Sequence, residues 1–195
     1  MSVVNDVKQA KLTMVGVSRL LHLQDACKTV EKENIPGVFV ECGVYRGGCC
    51  IIAKKLMPNR EVWMYDTFDG LTEPTEHDRK LSGTVEQTRE RWETEKICYS
   101  PRQEVEANLK EWGVEAKLIE GDACITTKEV KPQSISVLRL DMDLYEPTKT
   151  ALEELYPLLS KGGFLLIDDY NTWAGARKAV DEYFGSTDVG LVKRK

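Results

Sequence analysis

The feature that most constrains this chain is a repeated pairing: a short apolar run that closes on an acid or a glycine, then a segment with helical spacing. Val38 to Cys42, Glu61 to Tyr65, Ala116 to Glu120, Ser134 to Leu140 and Phe164 to Ile167 are the five runs. Their length and their β-branched and aliphatic content suit strands. Between and after them, Cys49 to Leu56, the segment opened by Ser100, Thr148 to Leu159 and Ala174 to Phe184 carry helical periodicity. Parallel strands need crossovers, and helical crossovers cover the sheet. The alternation therefore predicts an α/β fold with a mostly parallel sheet and helices on both faces. In such sheets ligands bind beyond the carboxyl ends of the strands, so the residues there carry the functional question.

The remaining stretches complete one domain over residues 1–195, a length that supports a single sizeable core. Residues 1–36 form an N-terminal helical segment: Val7, Ala10, Met14, Val17, Leu20, Leu21 and Val30 recur at mostly helical spacing, and Pro36 and Gly37 end it. Asp69 to Tyr99 is polar and weakly periodic, a long excursion of the lid-like kind that covers a site. Ser100 is expected as an N-cap, with Pro101 at the first helical position, Gln103 closing a capping box and Gly113 ending the helix. After Phe184 there is room for one strand, at Val189 to Lys193.

Composition disfavours several classes. The net charge is -5 and the 27 basic residues are scattered among 32 acidic ones, so there is no electrostatic footprint for nucleic acid. The apolar runs are far too short to span a membrane, and Met1 to Lys11 lacks a signal-peptide shape, so a cytoplasmic protein with no membrane partner is expected. Six cysteines show no paired spacing and read as free thiols in a reducing compartment. With only His22 and His77, a zinc site or a histidine-centred triad has little to work with.

The strand ends are chemically specific. The first runs into Glu41-Cys42-Gly43-Val44-Tyr45-Arg46-Gly47-Gly48. Glycines there let the backbone approach a ligand, and the following helix start offers N–H groups to an anionic group. The spacing departs from the dinucleotide fingerprint, and Glu41 beside the turn suits a cofactor with a positive amino or sulfonium group better than one with phosphates. The second strand runs into Asp66-Thr67-Phe68, where αβ folds place an acid for ribose hydroxyls. The third delivers Gly121-Asp122-Ala123, with Asp122 able to accept from an adenine amino group or to serve as a plain turn aspartate. The fourth and fifth deliver Asp141-Met142-Asp143 and Asp168-Asp169. Clustered carboxylates repel one another unless they bind a cation or share protons, and an all-oxygen set suits Mg²⁺ or Mn²⁺.

These stretches, together with Leu144-Tyr145-Glu146-Pro147-Thr148 and Gly162-Gly163-Phe164, resemble the macrocin O-methyltransferase family, from about Gly37 to Phe184. The resemblance implies a Rossmann-like class I methyltransferase fold, S-adenosylmethionine as cofactor, and metal-assisted methylation of a hydroxyl on a sugar or glycan, a deoxyhexose such as rhamnose being favoured. It places Glu41, Gly43, Asp66 and Asp122 on the cofactor, with Tyr45, Gly47, Thr67, Phe68 and Ala123 from the same turns. It places Asp141, Asp168 and Asp169 on the metal, with Asp141 the first candidate for proton acceptor and Asp143 the second. Family members usually have a longer N-terminal region and a closing antiparallel hairpin, so this sheet is expected to be shortened at its C-terminal edge. The expected partner is a small-molecule or glycan substrate, with a homodimer left open. Three other readings stay open: a catechol-type O-methyltransferase on an aromatic diol, a glycosyltransferase using Asp141-Met142-Asp143 for a nucleotide-sugar metal, and a non-catalytic cofactor-binding subunit.

Overall fold

The computed structural model describes residues 2–185 and a terminal strand at 192–194. Helices α1 (Val3–Gln9) and α2 (Val17–Lys32) lead into β1 (Val38–Cys42), α3 (Gly48–Leu56) and β2 (Val62–Asp66). The excursion contains α4 (Val85–Thr94) and is followed by α5 (Arg102–Glu111), β3 (Lys117–Glu120) and α6 (Ala123–Glu129). Then come β4 (Ile135–Leu140), α7 (Tyr145–Leu155), β5 (Leu159–Ile167), α8 (Ala174–Phe184) and β6 (Val192–Arg194). The sheet order is β3-β2-β1-β4-β5-β6, with β1 to β5 parallel and β6 antiparallel to β5. The order reverses between β1 and β4, which opens a crevice at their carboxyl ends.

The period of two along each strand sorts the core into layers. Phe39, Val62, Met64, Val137 and Leu166 pack with residues of α1, α2, α3 and α5 on one face. Val40, Tyr65, Leu138, Leu140, Leu165 and Ile167 pack with Ala151, Leu152, Leu155 and Val180 of α7 and α8 on the other. Covering on both faces explains why β4 reads as an unbroken buried run. Glu41 and Arg139 break that rule as register partners on β1 and β4, and both are buried.

Several boundaries differ from the sequence reading. Ser100 does not cap α5: Pro101 holds the N-cap position with extended backbone, and the Ser100 hydroxyl lies 3.4 Å from Glu104 Oε2. The capping box forms instead at Thr84, whose Oγ1 accepts from Gln87 N–H at 3.3 Å while Gln87 Oε1 accepts from Thr84 N–H at 3.0 Å. It starts α4, a helix too polar to show an apolar stripe. Helix α6 was likewise not anticipated. Helix α7 begins at Tyr145 rather than Thr148, because Pro147 sits within its first turn, where a missing N–H costs nothing. It ends at Leu155, followed by a single 3-10 turn at Tyr156–Leu158, so β5 starts at Leu159, five residues before the predicted Phe164. The early half of β5 contains Gly163, where a Cβ would fall 2.7 Å from the Ser136 carbonyl oxygen, so close strand approach excludes the side chains that would have marked it. Of the predicted strand Val189 to Lys193, residues 189–191 lie outside the described residues; β6 begins at Val192. Among the described residues no helix is long and apolar enough to cross a membrane.

Candidate active site

A cavity of about 220 Å³ opens at the carboxyl ends of β1, β2, β3, β4 and β5. Its floor is the turn after β1. Gly43 has φ +82°, and a Cβ there would lie 2.0 Å from the Asp141 carbonyl oxygen, so only glycine lets the β1 and β4 ends approach this closely. Asp66, at the end of β2, holds the turn from the side: Oδ2 accepts from Val44 N–H at 2.6 Å and Tyr45 N–H at 3.3 Å, and Oδ1 accepts from Phe68 N–H at 2.8 Å. Burial raises the Asp66 pKa, and these donors act to lower it. Asp122 caps α6 through Cys124 N–H, 2.8 Å from Oδ1, and also lines the cavity beside Ala123.

Across the cavity lie the acids. One oxygen each from Asp141, Asp168 and Asp169 fall within 4.8 Å of one another. Asp143 adjoins them with left-handed backbone, φ 63°, and its N–H donates to Asp169 Oδ2 at 3.1 Å. Burial pushes the Asp143 carboxyl up to about 7. Burial, then the charges of Asp143 and Asp141, hold Asp169 well above the usual carboxylate range, and burial with Asp141 raises Asp168. Two guanidiniums compensate in part. Arg139 donates to Asp141 Oδ2 at 2.7 Å, to Asp168 Oδ1 at 2.6 Å and to Glu41. Arg19, reaching in from α2, donates to the side chain and carbonyl of Asp168. Glu41, Asp141 and Asp168 thus share two guanidiniums, while Asp143 and Asp169 have no ion pair among the described residues and Asp143 feels only the more distant charge of Lys80, an imbalance that a divalent ion would relieve.

Gly43, Tyr45, Asp66, Thr67, Asp122, Ala123, Asp141, Asp143, Asp168 and Asp169 all stand on the cavity wall. Glu41, Gly47 and Phe68, expected on the cofactor with them, are not among the residues lining this cavity. The Glu41 carboxylate, 1% exposed, is engaged by Arg139 and by the Cys50 thiol at 2.8 Å, and burial pushes it up to about 7. It serves as counter-ion to Arg139. Gly47 supplies the left-handed N-cap of α3, with a Cβ position facing Met64 and Val105 at 3.4 Å, and Phe68 is buried in the core beneath the turn. Residues 2–190 match the family model of the macrocin-O-methyltransferases.

The chain belongs to the macrocin-O-methyltransferase family.

Its similarity to named family members is substantial. It is 36% identical over 181 residues to the 8-demethyl-8-(2,3-dimethoxy-alpha-L-rhamnosyl)-tetracenomycin-C 4'-O-methyltransferase of Streptomyces olivaceus, covering 89% of this chain and 67% of that protein. It is 31% identical over 189 residues to the demethyldecarbamoylnovobiocin O-methyltransferase of Streptomyces niveus, covering 91% and 69%. Among solved structures, the O-methyltransferase NovP superposes with a TM-score of 0.80 at 27% identity, over 94% of this chain and 81% of that one. The calicheamicin methyltransferase CalS11, at 21% identity and a TM-score of 0.68 over 94% and 80%, shares the fold. The fold of this macrocin-family O-methyltransferase is thus that of the class I S-adenosylmethionine-dependent methyltransferases, as the sequence implied. Family membership also sets aside the glycosyltransferase and non-catalytic readings.

The two arginines of this O-methyltransferase are not evident as site residues from sequence. Arg139 left one signal: a lone cation inside an apolar strand must be paired if that strand is buried. Arg19 left none, because its partner lies 149 residues away.

Proposed function

We propose that this enzyme transfers the methyl group of S-adenosylmethionine to a hydroxyl of a sugar or glycan, a deoxyhexose being favoured, with Mg²⁺ or Mn²⁺ as its metal. The observation that carries the metal is the set of three cavity-facing carboxylates on two adjacent strand ends, left undercompensated by Arg139 and Arg19. An all-oxygen donor set on rigid elements fits a hard divalent cation, which Asp141, Asp168 and Asp169 would hold. When bound, such an ion supplies positive charge that lowers the pKa of neighbouring hydroxyl groups. The acceptor class is supported by the relatives, whose names include a rhamnosyl compound as substrate.

The chain's own residues divide the remaining work. Asp66 and Thr67 receive the ribose, Asp122 and Ala123 the base, and the Gly43 to Tyr45 turn the methionine end. Asp141 is committed to Arg139 and to the metal set, so Asp143 is the better placed carboxylate to accept the acceptor's proton. Holding the hydroxyl and the methyl group between the turn and the acids turns a bimolecular encounter into a positioned transfer. The test is methyl transfer from labelled S-adenosylmethionine to deoxyhexosides, polysaccharide fragments and catechols, with and without Mg²⁺. Transfer to deoxyhexosides that stops in chelator and returns with Mg²⁺ is expected. Chelator-insensitive transfer would remove the metal, and transfer to catechols alone would remove the sugar.

A further inference from the structure

Helices α7 and α8 start shortly after the two acid-bearing strand ends, and neither brings its own cap. Leu144 and Trp173 hold the N-cap positions and make no side-chain capping bond. A helix start presents free N–H groups and partial positive charge, so a buried one needs an acceptor from elsewhere. The excursion supplies it. Asp78 is 1% exposed, and its Oδ1 accepts from the N–H of Tyr145, the first residue of α7, at 2.7 Å. Its Oδ2 accepts from the N–H and the hydroxyl of Thr75, each at 2.8 Å. At the start of α8, Gly175 leaves the space that this carboxylate fills: a Cβ there would fall 2.0 Å from Asp78 Oδ1 and 2.8 Å from the Tyr145 nitrogen.

The grip extends along the next residues. Leu81 N–H donates to the Thr172 carbonyl at 2.9 Å, Ala174 N–H donates to the Arg79 carbonyl at 2.8 Å, and Lys80 bridges Trp173. The segments gripped in this way are those that aim the acids. Asp143 lies two residues before Tyr145, and the Asp169 carbonyl accepts from Thr172 N–H at 2.9 Å and Trp173 N–H at 2.8 Å. A carboxylate serving only its own turn would not need to be buried, since burying a charge is costly unless it is bonded on all sides.

We infer that Asp78 is a positioning residue that fixes both acid-bearing loops from the excursion, so that the geometry of Asp141, Asp143, Asp168 and Asp169 depends on the excursion being docked. The effect on metal affinity rests on the metal reading above; the tether itself does not. The test compares hydrogen exchange, Mn²⁺ affinity and S-adenosylhomocysteine affinity in wild type, Asp78→Asn, Asp78→Ala and Gly175→Ala. Gly175→Ala normally favours a helix, but here its methyl would press on both Asp78 and the Tyr145 nitrogen that Asp78 accepts from, so it should act in the same direction as Asp78→Ala. If Asp78→Ala fails to fold, Asp78→Asn and Gly175→Ala carry the test. The expected result is faster exchange, by about tenfold, at residues 141–145 and 172–175 together. Mn²⁺ affinity should weaken by about tenfold, with S-adenosylhomocysteine affinity unchanged. Arg91→Ala, which removes the exposed Arg91–Glu95 pair on α4 of the same excursion, should leave all three readouts alone. Exchange changes confined to residues 73–81, or unchanged Mn²⁺ affinity in a folded variant, would overturn the inference. If wild type takes up no Mn²⁺, the metal reading fails, and exchange at 141–145 and 172–175 alone decides the tether.

Discussion

The two walls of the cavity are held by different forces. The turn after β1 is fixed by backbone: glycine conformations and N–H groups converging on Asp66. The loops of the acid wall are gripped by Asp78 and backbone bonds, but its carboxylate side chains are held by charge, with Arg139 and Arg19 spread over groups that they do not neutralise. A wall built from backbone bonds is complete by itself. A wall built from unbalanced charge has its proton content and its stability tied to the charges around it.

The largest expected effect separates the walls directly. Asp169→Asn or Asp141→Asn should lower turnover by more than about 100-fold, because a ligand should matter more than the outer-shell groups whose loss costs about 10–100-fold. S-adenosylhomocysteine affinity, read by calorimetry, should stay within a few-fold; a fully active Asp141→Asn enzyme would sink the assignment. Next is Arg139→Met. It leaves Glu41 buried without its counter-ion and should cost about 3–5 kcal/mol in urea unfolding. A loss below about 1 kcal/mol would show that Glu41 simply takes up a proton, as its raised pKa allows.

Acidity gives the third contrast. Asp143 has a folded-state pKa of about 7 against an ordinary 3.8, and Asp169 is raised as well. A raised acid stabilises the fold fully below its unfolded pKa and loses that contribution as pH rises through its folded pKa. These groups should therefore make the metal-free protein more stable near pH 5 than near pH 8, by melting temperature. Mg²⁺, which competes with those protons, should bind more tightly as pH rises and cancel much of the loss. A metal-free melting temperature that climbs steadily from pH 5 to 8 would contradict the charge account. The smallest effect lies outside both walls: Thr84→Ala removes the capping box of α4 and should cost about 1 kcal/mol, with cofactor affinity untouched.

The same division decides what was legible in the sequence. Strand β1 and helix α8 were readable to the residue, because an unbroken buried run and a clear apolar stripe leave little freedom. Gly43, Asp66 and the four aspartates after β4 and β5 were readable because strand ends in a parallel sheet point at one crevice. Helix α4 was hidden by its polarity, and the start of β5 by Gly163, which replaces a side chain where strands crowd. Arg19, Asp78 and the pairing of Glu41 with Arg139 were hidden for another reason. Each is defined by a partner brought to it by the fold, 149 residues away for Arg19, 67 for Asp78 and 98 for Glu41.

The contact between Gly43 and the Asp141 carbonyl, with no side chain between them, has a consequence for redesign. The carboxylate set is not portable by itself: grafting Asp141, Asp168 and Asp169 onto another methyltransferase of this fold requires a glycine at the recipient's matching turn, or the donor loop cannot seat. Conversely, a recipient that already has that glycine is the natural host for such a transplant.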